Sequence, residues 1–300
     1  MPNFLMIGAA KAGTSSLYAY LRQHPQIFLS EVRECEFFAL EGCVPDFTGP
    51  GDAVAYRRYL TSLDRYQALF TRATGCRAIG ECSDLYLYSA DAARRIHAYL
   101  PDAKLIVLLR NPVDRAYSHF RQFVRDGREP LGSFEAALEA EGSRMAAGWH
   151  PHWYLKARGR YFAQLSAYVD VFPRERLAIY LYEDFVANPL QVVQGLFKFL
   201  DVEPAFVPDM SVRYNISGTP RSQLLHKVLA GPSALKDFFK PVLPVKARHR
   251  LRAKLMNRNL RPEAARMAPT TRRTLVELFR EDVTNLQGLV RRDLSAWMVA

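Results

Sequence analysis

The sequence contains little cysteine and no long hydrophobic segment. Its four cysteines form no C-x-x-C pair, so we expect a reduced interior without a structural metal. No apolar run reaches the roughly 20 residues that a transmembrane helix needs. The first predicted strand begins at residue 4, which leaves no room for a signal peptide. Together these absences predict a cytoplasmic protein.

Acidic residues are also fewer than basic residues. Lys and Arg total 41 against 30 Asp and Glu, which gives a formal net charge of +11. An excess of this size favours polyanionic partners, such as a nucleotide, a nucleic acid, an acidic acceptor or a membrane surface. The stretch 240–261 carries eight basic residues and no acidic one. It is either an ordinary solvated face or a contact for an acidic acceptor or a membrane surface.

The loop after the first strand carries the main functional signal. An apolar run at 4–7 predicts a buried strand, and a helix begins soon after Gly13. A helix N-terminus presents unpaired N–H groups and a positive dipole end, which suit a phosphate or sulfate. Gly8 and Gly13 allow close approach, and Lys11 adds charge. Lys11 lies two residues before Gly13, whereas the Walker A lysine follows the second glycine. The alternative is an ordinary turn with a helix cap.

A second candidate site follows the most apolar strand of the chain, at 104–110. Arg110 stands at the carboxyl end of that strand, where ligands bind in open α/β sheets, and Ser118 lies on the next helix. A guanidinium and a hydroxyl suit a second phosphate. An arginine argues against a metal, because the corresponding strand of a kinase often ends in a magnesium-holding aspartate. The alternative is that Arg110 pairs with a surface carboxylate.

Strands and helices alternate through most of the chain. Further strands are predicted at 78–81 and 177–182, and helices at 56–70, 89–100, 161–172, 189–200 and 270–290. This alternation is typical of a parallel α/β sheet. We predict a P-loop-like central parallel sheet flanked by helices in a single domain over 1–300. Its core occupies about 1–200, and 201–300 form a mainly helical part of the same domain.

Four segments in this order resemble the sulfotransferases that use 3′-phosphoadenosine 5′-phosphosulfate (PAPS). They are Lys11 to Ser16, Leu21 to Pro25, Glu34 to Phe38, and Leu108 to Ser118. The Glu-x-x-Phe-Phe element resembles the branch that contains heparan-sulfate and bacterial carbohydrate sulfotransferases. The likeness covers most of the first 200 residues and returns in the last helix. It implies PAPS as donor, 3′,5′-adenosine bisphosphate (PAP) as product, and no required metal.

The resemblance implies a role for each matching residue of the cofactor site. The residues expected to hold the 5′-phosphosulfate are Lys11, Ala12, Gly13, Thr14, Ser15 and Ser16. Lys11 also neutralises charge that builds on the bridging oxygen. Arg110 and Ser118 bind the 3′-phosphate, which distinguishes PAPS from ATP. Arg221 lies in a loop similar to one in bacterial members and is expected to close over the nucleotide.

Glu34 is implied as the base that deprotonates the acceptor hydroxyl. Glu31 and Glu36 lie in the same acidic run and compete for the role, but the pair Phe37-Phe38 favours Glu34 by fixing the register. If none of these acids acts, His119 is the better candidate. The acceptor is expected to be a hydroxyl of a carbohydrate or glycolipid, with a natural-product hydroxyl as the second choice.

Three features depart from the family pattern or leave alternatives open. Asp84 stands where proline is expected, and Glu36 where relatives often carry histidine or glutamine. The aromatic segment 149–154 either stacks on an acceptor or packs an irregular surface. Its His150 and His152 do not make a metal site alone, because the sequence offers no third ligand.

Two other functions are consistent with parts of the sequence. A P-loop kinase for a small molecule would also need an anion loop, but the displaced Lys11 and Arg110 oppose it. A basic nucleic-acid-binding protein would explain the net charge. The chain lacks the recognised binding motifs of that class, so we expect no nucleic-acid partner.

Overall fold

A computed structural model describes residues 1–211, 219–220, 260–261 and 267–300. Five parallel strands form its central sheet in the order β2-β3-β1-β4-β5. They are β1 (Phe4–Gly8), β2 (Ile27–Leu29), β3 (Ala78–Cys82), β4 (Lys104–Leu109) and β5 (Leu177–Leu181). A short antiparallel pair is formed by β6 (Thr219–Pro220) and β7 (Leu260–Arg261). The predicted parallel α/β sheet is confirmed.

The sheet is buried because its central strands are apolar on both faces. Every residue of β1 is buried, and so is every residue of β4 after Lys104. Continuous apolar runs of this kind are typical of parallel strands covered by helices on both sides. Phe4 lies opposite Gly80 in the β1–β3 ladder, and a Cβ on Gly80 would come within 2.5 Å of the Phe4 ring. Only glycine fits there.

Helices flank the sheet and connect its strands. The helices are α1 (Thr14–Leu21), α2 (Phe37–Leu40), α3 (Asp52–Ala55), α4 (Leu63–Gln67), α5 (Ala92–Tyr99), α6 (Pro112–Arg125), α7 (Phe134–Glu139), α8 (Glu141–Ala146), α9 (Tyr161–Val169), α10 (Tyr182–Ala187), α11 (Pro189–Phe199) and α12 (Pro269–Val290). Single 3₁₀ turns lie at Tyr56–Arg58, Ala68–Phe70, Pro151–Trp153, Ala157–Gly159, Arg174–Arg176 and Ser295–Met298. None of the described helices is long and apolar enough to cross a membrane.

The single helix predicted at 56–70 is wrong. The segment contains a 3₁₀ turn at Tyr56–Arg58, helix α4 and a second 3₁₀ turn. The break occurs because the Leu60 N–H donates to the Cys35 carbonyl at 2.8 Å, and Ser62 is extended. A contact with a remote segment thus overrides the helical spacing of the apolar residues.

The last helix, α12, packs against two of the helices that flank the sheet. Helix α12 packs against α9, and Asp282 Oδ2 accepts a hydrogen bond from the Phe162 N–H at 3.2 Å. Arg272 of α12 pairs with Asp114 in the first turn of α6. Arg221 and residues 240–259 of the basic stretch lie outside the described residues.

Candidate active site

The turn between β1 and α1 lies at the carboxyl edge of the sheet. Gly13 adopts a φ of 96° and Lys11 a φ of 65°, so two left-handed residues shape the turn. A Cβ on Gly13 would come 3.3 Å from the Phe185 ring, and glycine avoids both this contact and the strain of the positive φ. No side chain from the described segments caps the N-terminus of α1. The turn therefore presents a helix N-terminus of the kind that binds anions.

Lys11 is half-buried and projects from this turn towards α6. Its Nζ donates to Gln122 Oε1 of α6 at 2.8 Å. Burial, followed by the positive charges of Arg125 and Arg110, lowers the pKa of Lys11 to about 8. An ammonium that is buried beside other cations is under-compensated, and an anion bound at the turn would relieve that cost.

Arg110 joins the turn to the end of β4. Its Nη1 donates to the Lys11 carbonyl oxygen at 3.1 Å, and its guanidinium lies 4.7 Å from the centre of the Tyr182 ring. Asn111 caps α6 by accepting from the Val113 N–H at 2.9 Å. Ser118 lies on the same helix and is half-buried. The structure thus brings Arg110 to the Lys11 turn, and its guanidinium does not pair with a surface carboxylate within the described chain.

The acidic run beside the turn separates into three environments. Glu31 is 74% exposed and pairs with Arg22 on the surface at 3.0 Å. Glu34 is 25% exposed and pairs with Arg58, while Glu36 is completely buried. Phe37 and Phe38 are also completely buried, as the register argument requires.

Hydrogen bonds to the end of β3 fix the backbone of this run. The Glu34 N–H donates to the Cys82 carbonyl at 2.7 Å, and the Glu36 N–H donates to Ser83 Oγ at 3.2 Å. Both glutamates have a positive φ, 54° and 55°, which side chains other than glycine rarely adopt. The strain is held by these bonds and by the buried phenylalanines that follow.

Asp84 and Glu36 have opposite electrostatic environments although they are close together. Burial, then the charges of Asp84 and Glu34, raise the pKa of Glu36 well above its usual value. Burial also disfavours the charged form of Asp84, but Arg158 and His152 outweigh it and hold the pKa of that carboxyl well below its usual range. These environments favour the protonated form of Glu36 and the ionised form of Asp84.

Side chains from distant segments assemble around Asp84. Its Oδ1 accepts from Arg158 Nη2 at 2.7 Å and from His152 Nε2 at 3.1 Å. Glu36, Asp84 and His152 each bring one potential ligand atom within 4.8 Å of the others, so the structure adds two carboxylates to His152 and leaves His150 out of the cluster. Because Arg158 and His152 already share one Asp84 oxygen, the arrangement is a hydrogen-bonded network around the Asp84–Arg158 ion pair.

The remaining candidates pack inside the protein. His119 is 4% exposed, lies 3.4 Å from Arg115 Nη1 through its Nδ1, and stacks on Phe123. Burial, followed by Arg115, lowers the pKa of His119 well below its usual value. Trp153 is completely buried and its ring stacks on Phe123 at 4.0 Å. For Trp153 the packing interpretation is therefore the correct one.

Sequence reasoning missed Arg58, Arg158 and the contribution of His152. No motif marks them, since each contacts an acid 24, 74 or 68 residues away in the chain. The presence of Asp84 in place of an expected proline was the one available signal. A buried carboxylate needs a cationic partner, and Arg158 is that partner.

Comparisons with known proteins agree with this geometry. The sequence model described as "Sulfotransferase family" matches residues 2–206. A crystal structure of a sulfotransferase from Alicyclobacillus acidocaldarius is 36% identical, with a TM-score of 0.78 over 100% of this chain and 99% of that one. Human heparan sulfate glucosamine 3-O-sulfotransferase 6 is 30% identical over 203 residues, which are 67% of this chain and 53% of that protein.

A further relative is the membrane-associated sulfotransferase kil1 of Dictyostelium discoideum. It is 23% identical over 306 residues, which cover 76% of this chain and 62% of that protein. The chain thus spans less than two thirds of the length of both curated relatives.

Proposed function

The chain belongs to the sulfotransferase family, and from that premise we propose that it transfers the sulfuryl group of PAPS to an acceptor hydroxyl through the site around Lys11. Sulfuryl transfer is the reaction of the family, and neither the kinase nor the nucleic-acid-binding alternative is favoured by the comparisons. The observation that carries the proposal is the geometry of the Lys11 turn. Arg110 Nη1 donates a hydrogen bond to the Lys11 carbonyl oxygen at 3.1 Å.

The turn fits the 5′-phosphosulfate of the donor. Within the described chain the N-cap residue of α1 makes no side-chain cap, and the half-buried Lys11 ammonium lies beside other cations, so both features favour a bound anion. In this proposal the residues that hold the group are Lys11, Ala12, Gly13, Thr14, Ser15 and Ser16. PAPS supplies the sulfuryl group and an anionic leaving group. Lys11 stabilises the negative charge that develops on the leaving oxygen, which lowers the barrier more than it strengthens donor binding.

Arg110 and Ser118 are proposed to bind the 3′-phosphate. The Arg110 guanidinium is half-buried and has one N–H group on the Lys11 carbonyl, so its other donors are available to an anion. Ser118 projects from α6, whose N-terminus Asn111 caps beside Arg110. A 3′-phosphate contact selects PAPS over ATP. The proposed part of Arg221 rests on the resemblance alone.

Glu34 is proposed as the general base. It is the one acid of the run that is partly exposed and also bonded to the end of β3 through its backbone. Arg58 orients its carboxylate, and the raised pKa of the neighbouring Glu36 favours a protonated form that cannot accept a further proton. The Glu34 carboxylate takes the acceptor's proton as the acceptor oxygen attacks sulfur. This chemistry requires no metal, and in-line positioning and charge stabilisation supply the rate.

The acceptor is proposed to be a carbohydrate, glycolipid or natural-product hydroxyl. The relatives support the first of these, since one is a heparan sulfate glucosamine 3-O-sulfotransferase. A cytoplasmic location, membrane contact through 240–261, and one domain over 1–300 remain proposals from the sequence.

Thermal unfolding with nucleotides tests the donor assignment. We expect PAP to raise the melting temperature without added metal, and Mg-ATP to raise it less. Radiolabelled PAPS is then offered with sugar, lipid and polyketide acceptors to identify the acceptor class. If ATP with magnesium stabilises the protein and PAP does not, the proposal is contradicted.

A further inference from the structure

The Asp84–His152 pair has two hydrogen-bond acceptors left over from its own network. Asp84 Oδ1 accepts from both Arg158 and His152. His152 Nε2 carries the hydrogen in that bond, because the carboxylate is ionised and can only accept. This bond fixes the tautomer with its hydrogen on Nε2, and Nδ1 of that tautomer is a lone-pair acceptor. The atoms that remain are Asp84 Oδ2 and His152 Nδ1, and neither bonds another residue of the described chain.

The side chains that carry these two atoms keep part of their exposure, while the neighbouring groups are buried. The side chains of Asp84 and His152 are each 13% exposed, compared with 3% for Arg158 and none for Glu36. Oδ2 and Nδ1 are absent from the buried unpartnered atoms of the described part, whereas Glu36 Oε1 is among them. Glu36 also brings one carboxyl oxygen within 4.8 Å of potential ligand atoms of Asp84 and His152, so the place is polar.

The pair lies between the proposed base and the proposed donor loop. Asp84 comes two residues after Cys82, whose carbonyl accepts from the Glu34 N–H at 2.7 Å. The Asp84 carbonyl is 3.6 Å from the position of a Cβ on Gly8, at the start of the loop. The Asp84 charge also acts on Lys11 and raises its pKa against the cations nearby. An acceptor that presents one hydroxyl to Glu34 therefore passes next to this pair.

Resting on the proposed function, we propose that Asp84 and His152 accept hydrogen bonds from a second hydroxyl of the acceptor molecule. The substrate class is then a neutral polyol with adjacent hydroxyls, not a flat molecule with one hydroxyl. An anionic group at this place would meet the Asp84 carboxylate. An ammonium group satisfies the same acceptors, but the positive charges of Arg158 and Lys11 already act on Asp84 and oppose a further cation.

A matched series of small probes tests this subsite. Cyclohexanol, trans-cyclohexanediol with adjacent hydroxyls, and trans-aminocyclohexanol share one ring and differ in the second group. Their affinities for the full chain saturated with PAP are measured by ligand-observed NMR titration. A hydrogen bond to a charged group predicts that the diol binds about tenfold more tightly than cyclohexanol. The amino alcohol separates an ammonium from a hydroxyl.

Variants of the pair assign the preference to these residues. Asp84→Asn keeps an oxygen for Arg158 and turns the outward atom into a donor, so the diol preference falls towards one. His152→Leu removes the second acceptor and lowers the preference, whereas His152→Gln, which keeps a donor and an acceptor, retains part of it. His97→Leu, at an exposed histidine of α5, leaves the preference unchanged.

Each result separates this inference from the proposed function. PAP stabilisation together with a diol preference that Asp84→Asn or His152→Leu removes supports both. PAP stabilisation with equal affinities for all probes, with a preference for the amino alcohol, or with a diol preference that neither variant changes overturns the subsite alone. If PAP does not stabilise the wild-type protein, the proposed function fails and the subsite fails with it.

Discussion

The two sides of the site differ in whether backbone groups or side chains form them. On the Lys11 side, one continuous segment turns from β1 into α1, and its backbone presents the helix N-terminus. On the Glu34 side, charged side chains come from four segments: the acidic run, the end of β3, and the neighbourhoods of Arg58 and His152. The first side depends on backbone geometry, and the second depends on a network of ion pairs.

This difference indicates which side tolerates change. A backbone anion site tolerates substitutions that leave its glycines and its positive φ angles unchanged. Binding of the donor is therefore retained in such variants. A side-chain network changes its chemistry when one residue changes, as Asp84 illustrates by requiring Arg158 as a partner. We therefore expect donor binding and acceptor selection to separate cleanly in variants.

The largest expected effect is on the acceptor side. Glu34→Gln keeps the size of the side chain but removes its ability to take a proton, so turnover with an acceptor falls about 10²–10⁴-fold. Affinity for PAP stays within about twofold, because the Lys11 turn does not depend on this carboxylate. Calorimetry with PAP and initial rates with labelled PAPS measure the two quantities.

Glu31→Gln is the matched control, since Glu31 lies in the same run but pairs with Arg22 on the surface. It should behave like the parent. Loss of PAP affinity in Glu34→Gln equal to its loss of turnover would show that the two sides are not separable.

The next effect is on the donor side. Arg110→Ala should weaken binding of PAP about tenfold or more, while binding of 5′-AMP changes little, because only PAP carries the 3′-phosphate. Titration calorimetry with both nucleotides gives the ratio. Equal losses for the two would mean that Arg110 acts only by holding the Lys11 carbonyl, and the 3′-phosphate assignment would be withdrawn.

The pH dependence of donor binding reports the charge of Lys11. With a pKa of about 8, Lys11 is charged at pH 7 and loses its proton as the pH rises through 8. Since the anion binds the charged form, PAP affinity is highest below pH 8 and falls at most about tenfold per pH unit above it. Fluorescence or calorimetric titrations of PAP affinity from about pH 6.5 to about pH 9.5, roughly 1.5 units either side of the pKa, measure this dependence. Lys11→Met should bind weakly with no such slope.

The sequence predicts the Lys11 side of the site better than the Glu34 side for a physical reason. Lys11, Gly13 and the helix start are contiguous, and Arg110 follows a strand whose apolar run identifies it. The parallel sheet is likewise encoded in local patterns, and it is confirmed. Contacts with remote segments are not encoded locally: the break near Leu60 depends on Cys35, and the partners of Asp84 lie 68 and 74 residues away.

The two glutamates of the acidic run provide the smallest and most specific test. Burial, followed by the charges of Asp84 and Glu34, raises the pKa of Glu36 well above its usual value and favours its protonated form in the folded protein. For an acid whose folded pKa is raised, stability is fully present below the unfolded pKa and is lost as pH rises towards the folded pKa. Glu36→Gln removes that loss, since the amide is neutral throughout and its NH₂ group can donate to Asp84. Thermal unfolding between acidic and mildly alkaline pH should show the variant matching the parent at low pH and exceeding it at higher pH, by about 1.4 kcal/mol for each unit of pKa difference. If Glu36→Gln is instead less stable than the parent at neutral pH but matches it at low pH, Glu36 is an ionised partner of Arg158, and the division between a proton-holding Glu36 and a proton-accepting Glu34 is wrong.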